Sequence, residues 1–405
     1  MNEKHISCFE PAYLEKFVCD GSVCGSKCCH KWGILIDDKT YRKYQAIEPA
    51  SERDAIISHI TTINDDGEEH LTFIKDECDG CSLLDDDGLC HIQRQKKYGA
   101  SYLSNVCAEF PRRTYYIEGF SVRALSLVCP IAARLALISR EPMTFHTVEI
   151  SDERLDYFIT RPAETIPAAG AFFSVFTTGV NILQNRKLTI GERLLALGLF
   201  LDYADDFVTS NDVDGLERFA ENYRQPNEET FANVSASFAF DASLHFSLMT
   251  GLIDALYDDR SIYPVGNPDD YLVPFRETFG TDMEKWERGE KAYREKVVKP
   301  FDYVIENYLV NEFVGGLYPS MTNGSFFHNF IVFVTFYNVL ELMLMTTAMM
   351  RDVTEDDVLR AVERLGVRTD HTLEYIRRVE SYMKDKEENG AMLLTALVDA
   401  SDKID

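Results

Sequence analysis

Short apolar runs broken by turn residues fill the first third of the chain, and longer runs at helical spacing fill the rest. Gly33 to Asp37 and His70 to Ile74 read as strands, with Asn64 to Gly67 as a turn ahead of the second. Thr114 to Ile117 and Phe120 to Val128, joined by Glu118 and Gly119, read as a hairpin. Further on, Thr189 with Glu192 three residues later forms a capping box ahead of the run Arg193 to Phe207. Thr354 with Asp357 begins a helix that Gly366 can close, Asp370 opens another through Lys384, and Phe301 to Phe313 adds an amphipathic stretch. No regular repeat is present.

Phe326 to Met350 is the most apolar segment and is long enough to span a membrane. Asn329, Asn338 and Glu341 interrupt it, and flanking basic anchors are sparse, so a central buried helix is expected and no membrane partner. These patterns predict an α+β protein of two domains. Residues 1–150 form a cysteine-rich metal-cluster domain with a small sheet, and residues 151–405 form an acidic all-α domain that recognises the substrate.

Composition supports a folded chain throughout, because 45% hydrophobic and 12% aromatic residues exclude the signature of disorder. Charge is uneven: of a net −26, residues 151–405 carry −20, with 24 Lys and Arg against 44 Asp and Glu. Such a field repels phosphate backbones, which disfavours nucleic acid, and attracts a lysine-bearing protein surface. The N-terminal sequence lacks the apolar core and cleavage site of a secretory signal, so a cytoplasmic location is expected.

All ten cysteines lie before residue 130. In a reducing compartment such clustering points to a metal site rather than a disulfide framework. Cys19, Cys24, Cys28, Cys29, Cys81, Cys90, Cys107 and Cys129 are the candidate ligands, with His30, His91, Arg112 and Arg113 beside them. Four thiolates suit either tetrahedral zinc or a [4Fe–4S] cluster. Cys8 lies outside the spacings, and Cys78 is ambiguous because Cys78-x2-Cys81 lacks a second matching pair.

Cys24-x3-Cys28-Cys29, Cys81-x8-Cys90-His91 and Cys107-x3-Pro111-Arg112 resemble the CxxCxxCC family of zinc- or iron-chelating proteins. Ser121 to Arg134, Trp32 to Asp37 and Tyr41-x2-Tyr44 resemble the more specific flagellin lysine-N-methylases, and Asn307 to Asn311 extends a weaker likeness into the helical part. Ser82 and Ala108 depart from the family pattern, where proline and arginine are usual. The resemblance implies methyl transfer from S-adenosylmethionine to flagellin lysines, with an iron–sulfur centre near the active site.

Methylating a lysine requires its neutral amine, so the site must shed a proton from a group with a pKa near about 10.4. Burial and a nearby base would serve, and the donor's sulfonium favours carboxylates and aromatic faces. No strand followed by GxGxxG is present, and Cys24-x3-Cys28 is followed by Lys31 where a CxxxCxxC motif needs cysteine. Catalytic and cofactor-binding residues are therefore not identified by motif. Two other classes fit the cysteines: a zinc-stabilised interaction module without catalysis, and a metal or redox carrier.

Overall fold

The computed structural model describes residues 5–151 (apart from 26, 31–32, 66, 78, 96 and 118–119), 159–160, 169–223, 235–258 and 272–400 (apart from 321–323, 372 and 387–389). Trp32, Cys78 and the expected turn at Glu118 and Gly119 lie outside the described residues. Among the described residues seven strands are present: β1 (His5–Pro11), β2 (Ile60–Asp65), β3 (Glu68–Phe73), β4 (Arg112–Ile117), β5 (Phe120–Leu125), β6 (Phe145–Ser151) and β7 (Ile159–Thr160). Helices of eight residues or more are α1 (Asp38–Gln45), α2 (Ala50–Ile57), α3 (Pro130–Leu137), α4 (Ala169–Leu183), α5 (Ile190–Thr209), α6 (Val213–Asn222) and α7 (Ala242–Asp258). They continue as α8 (Met283–Tyr293), α9 (Lys299–Gly315), α10 (Phe326–Met350), α11 (Glu355–His371), α12 (Leu373–Lys384) and α13 (Gly390–Leu397).

The main sheet has the order β6-β1-β5-β4-β7. The expected hairpin is β4 against β5, with Thr114 opposite Arg123. β1 inserts beside it, parallel to β5 and antiparallel to β6. The second strand pair, β2 with β3, includes the expected strand at His70. Gly33 to Asp37 is not a full strand, but Ile36 and Phe73 exchange main-chain hydrogen bonds with Leu71 and Ile34 in an extended pairing.

Alternation sends the side chains of the β4–β5 hairpin to two different layers. Tyr115, Ile117, Val122 and Ala124 join the large core, which runs on through the helices to Val398. Leu125 on the other face packs with Leu14, Phe17, Cys129 and Ala132. A separate small core, including Ile34, Tyr44, Phe73, Ile92 and Tyr98, lies beneath β3 and α1, with Cys81, Cys90 and Cys107 at its margin.

α10 is the central helix of the large core and packs against α5, α8, α11, α12 and α13. It is long and apolar enough to cross a membrane, yet 89% of its most apolar window is buried inside the protein. Its polar residues are satisfied there: Asn338 Nδ2 donates to the Leu397 carbonyl at 3.0 Å and Asn329 Nδ2 to the Ser325 carbonyl at 2.8 Å. Each buried phenylalanine of this helix contributes roughly 1.5–3 kcal/mol, which explains why it forms the core.

The capping box before α5 is present in both directions, Glu192 N–H to Thr189 Oγ1 at 3.2 Å and Thr189 N–H to Glu192 Oε2 at 2.8 Å. Gly366 does not close a helix. It lies inside α11, where a Cβ would meet Val128 Cγ2 at 3.1 Å, so its small size permits close packing against the end of the hairpin. The expected metal-cluster domain is not found: the N-terminal region is a mixed sheet with short helices, and among the described residues no group of three or more His, Cys, Asp or Glu is placed to hold a metal ion.

Candidate functional site

The fold does bring the sequence-selected cysteines to one region. The Cys81 amide donates to the Cys29 carbonyl at 2.8 Å, and bridges pair His30 with Gly80 and Leu84 with Cys90. Cys19, Cys24, Cys28, Cys29, Cys81, Cys90, Cys107 and Cys129 lie within electrostatic influence of neighbouring members of the set. They do not form a cage. Cys28 and Cys29 approach to 4.0 Å between sulfurs, and burial pushes the Cys81 thiol up to about 11 and the Cys107 thiol up to about 12. The same burial raises Cys90 and Cys129, whereas the contact with Cys29 lowers Cys28. The iron–sulfur or zinc centre expected from the spacings is overturned: among the described residues no group of three or more His, Cys, Asp or Glu is placed to hold a metal ion. Cys8, set apart by its spacing, is buried on β1, where burial pushes its thiol up to about 12.

A cleft of about 360 Å³ opens beside this region, lined by Ala100, Ser101, Ala108, Glu109, Arg112 and Arg123. The short helix Asn105–Glu109 supplies Ala108 and Glu109; Ser104 caps it, its Oγ accepting from the Cys107 N–H at 3.5 Å. Glu109 is buried. Arg112 and Arg123 share one face of the hairpin, because Arg112 and Thr114 alternate onto that face and Arg123 stands opposite Thr114.

The two guanidiniums are held differently. Arg112 lies over the Phe17 ring at 5.4 Å and donates to the Ala108 carbonyl at 3.5 Å. Arg123 Nε donates to Thr114 Oγ1 at 3.0 Å, and its Nη1 stands 3.6 Å from the buried Glu10 carboxylate, which is also 3.5 Å from His146. Glu10 thus balances Arg123 from behind, and Glu109 and Arg112 line the same cleft. Sequence reasoning placed Arg112 only beside the cysteines and did not select Glu109, Arg123 or Glu10. The available signal was a lone arginine inside the apolar alternation of β5.

The next residue along β4 serves the other layer. Arg113 points into the junction with the helices, where Nε donates to the Gly315 carbonyl at 2.7 Å and Nη1 to Asp370 at 2.6 Å, with Glu312 at 3.5 Å. Ser126 donates to the second oxygen of Asp370. Burial raises Glu312 while Arg113 opposes the rise, and burial followed by the Glu312 charge raises Tyr308 and Tyr318. The Asn307 to Asn311 stretch is a clamp across this junction. Asn307 donates to the carbonyls of Leu137 and Ser139, and Asn311, one turn on, donates to the Leu125 carbonyl and accepts from the Tyr13 hydroxyl.

Comparison with known proteins supports the likeness carried by the motifs. The family model of the FliB lysine N-methylase C-terminal domain matches residues 178–396. The chain is similar to a lysine-N-methylase of Salmonella typhimurium, 27% identical over 257 residues, which covers 63% of this chain and 61% of that protein. The lysine-N-methylase of Salmonella choleraesuis matches to the same extent. A flagellar biosynthetic protein FliU of Salmonella muenchen is 36% identical over 129 residues, 31% of this chain and 75% of that protein. The matched region therefore spans about three-fifths of the length of the lysine-N-methylases. No solved structure matches. With more than half of its length matched by one family model, the chain belongs to the FliB lysine N-methylase family.

Proposed function

We propose that this protein is a protein-lysine N-methyltransferase that acts on flagellin in the cytoplasm, with S-adenosylmethionine as methyl donor. The observation that carries the reading is the family match over residues 178–396, together with relatives named as lysine-N-methylases. The methyl donor would supply an electrophilic methyl group on a sulfonium. A cleft lined by Glu109, Arg112 and Arg123 has a volume at the lower end of small-molecule sites.

The protein substrate is supported by charge. The −20 of residues 151–405 attracts a lysine-bearing surface, over a reach that screening limits to about 8 Å at physiological ionic strength. The test is transfer of labelled methyl from S-adenosylmethionine to purified flagellin by the full chain, across a salt series. Label on flagellin lysines with an initial rate that falls as salt rises is expected. Absence of label at every salt concentration would overturn the reading.

A further inference from the structure

The outer edge of the small strand pair is open, and its register shows which main-chain groups that edge offers. β2 pairs with β3 one residue to one, without a bulge, from Ile60 opposite Phe73 to Asp65 opposite Glu68. In an antiparallel pair, opposed residues alternately bond to each other and turn their main-chain groups outward. On β3 the outward set includes Leu71 and Phe73: the Leu71 carbonyl accepts from the Ile36 amide and the Phe73 amide donates to the Ile34 carbonyl. Their opposites Thr62 and Ile60, and by the same alternation Asn64, therefore direct N–H and C=O away from β3, to a side where no described residue pairs with them. Thr61, Thr62, Ile63 and Asn64 are exposed. Edge strands commonly carry a lysine, a proline or a bulge that blocks a further strand, and Ile60–Asp65 has none of these. Its isoleucines and threonines favour extended pairing.

Charge selects the occupant. Residues 60–79 hold seven Asp and Glu against one Lys, a net −6. Glu68, Glu69 and Glu77 are exposed, and Glu68 stands 3.8 Å from His70. A second copy of the chain laid edge to edge would bring two such acidic hairpins together and is disfavoured by like charge, whereas a lysine-bearing segment is attracted. We propose that the β2 edge docks an extended, lysine-bearing segment of the protein substrate as an added strand, held by the main chain of Ile60, Thr62 and Asn64, with the exposed Ile63 beside its side chains. The identity of the occupant as substrate rests on the methyltransferase reading, while the open edge and its charge stand without it. Recognition of this kind tolerates varied sequences, because main-chain bonds hold the segment and side-chain charge biases it toward lysine. Past Ile60 the chain continues to His59, whose ring lies 2.9 Å from the hydroxyl of Ser82, next to Cys81. A docked segment thus runs between the acidic Glu68 end and the region where the cysteines gather.

The experiment is equilibrium binding to the full chain of three probes: purified flagellin, a synthetic peptide of alternating lysine and threonine, and its counterpart of alternating glutamate and threonine. Wild type is compared with Thr62→Pro, Thr62→Val and the double variant Glu68→Lys with Glu69→Lys, each verified as folded by circular dichroism and thermal unfolding. The Thr62 amide lies outside the pairing with β3, so proline there removes an outward donor and leaves that pairing in place. Wild type should bind flagellin and the lysine peptide, less tightly as salt rises, and should bind the glutamate peptide far more weakly. Thr62→Pro should weaken flagellin and the lysine peptide roughly tenfold or more, whereas Thr62→Val, which keeps the main-chain donor, should bind like wild type. The double variant, confined to exposed side chains, should weaken both and flatten the salt dependence, and it carries the test if the proline variant does not fold. Wild-type affinity in Thr62→Pro or in the double variant would overturn the proposal, as would equal binding of the two peptides. A dimer of wild type in sedimentation that Thr62→Pro abolishes and flagellin does not displace would overturn it in favour of a contact between copies. If flagellin is methylated by wild type and by Thr62→Pro with the same KM, the docking edge fails and the methyltransferase reading stands. If wild type binds the lysine peptide through Thr62 yet transfers no methyl to flagellin, the docking edge stands and the methyltransferase reading fails.

Discussion

Replacing Arg113 by methionine removes the charge that joins the sheet to the helices while keeping most of the packing volume. In the wild type its guanidinium is 2.6 Å from Asp370 and 3.5 Å from Glu312, and the three side chains are no more than 17% exposed. The substitution leaves two carboxylates in a largely buried site without their cation and orphans the Gly315 carbonyl. Breaking a buried pair in this way costs about 3–5 kcal/mol. Hydrogen bonds from Ser126 to Asp370 and from Asn311 to Glu312 remain, which places the expected loss toward the lower end. The deficit also acquires a pH dependence. Burial already raises Glu312 in the wild type, and without Arg113 the charge that opposes this rise is gone. Its contribution is then fully present only below the unfolded range near about pH 4 and is lost as pH rises through the folded value. Urea unfolding of both proteins at pH 8 and pH 5.5 measures this: a deficit of about 3 kcal/mol at pH 8 should shrink by about 1 kcal/mol or more at pH 5.5. A deficit below about 1 kcal/mol, or one that does not change with pH, would refute a charge-bearing role for the junction.

Asn311→Ala removes the donor to the Leu125 carbonyl and the acceptor for Tyr13, and should cost about 1–3 kcal/mol in the same unfolding assay. Gly366→Leu forces a side chain into Val128 and should destabilise by about 1–3 kcal/mol, whereas enlarging the exposed Ser22 to threonine should have little effect. Asp357, held by Arg351, Thr354 and Arg360, has its carboxyl well below the usual range, with the Arg351 contact the largest cause. Asp357→Asn should therefore cost about 1 kcal/mol at neutral pH, after allowance for the exposed arginines, and the difference should fade as pH drops below about 4 toward the folded value of Asp357.

Local signals were readable in the sequence and long-range pairings were not. The Thr189–Glu192 box and the buried α10 depend on residues a few positions apart, so periodicity and capping chemistry reveal them. β1 and β6 pair His5 with Ser151 across more than a third of the chain, and neither is hydrophobic enough to announce itself alone. Cys28, Cys29, Cys81, Cys90 and Cys107 lie in one region because the Cys81 amide pairs with the distant Cys29 carbonyl and the chain folds back to bridge Leu84 with Cys90. Spacing does not specify the sulfur geometry of a cage, and the structure places no such cage among the described residues. Arg112 and Arg113 look equivalent in sequence, yet the two-residue period of β4 sends one to the cleft and the other to the junction. Only the register with β5 brings Arg123 to the face of Arg112.

The central claim is lysine methylation, and it is tested most directly by mass analysis of flagellin peptides after incubation with the full chain and S-adenosylmethionine. The account predicts mass increments of whole methylene units on lysine side chains, abolished when the methyl donor is omitted. Flagellin lysines of unchanged mass, with folded protein and donor both present, would contradict it.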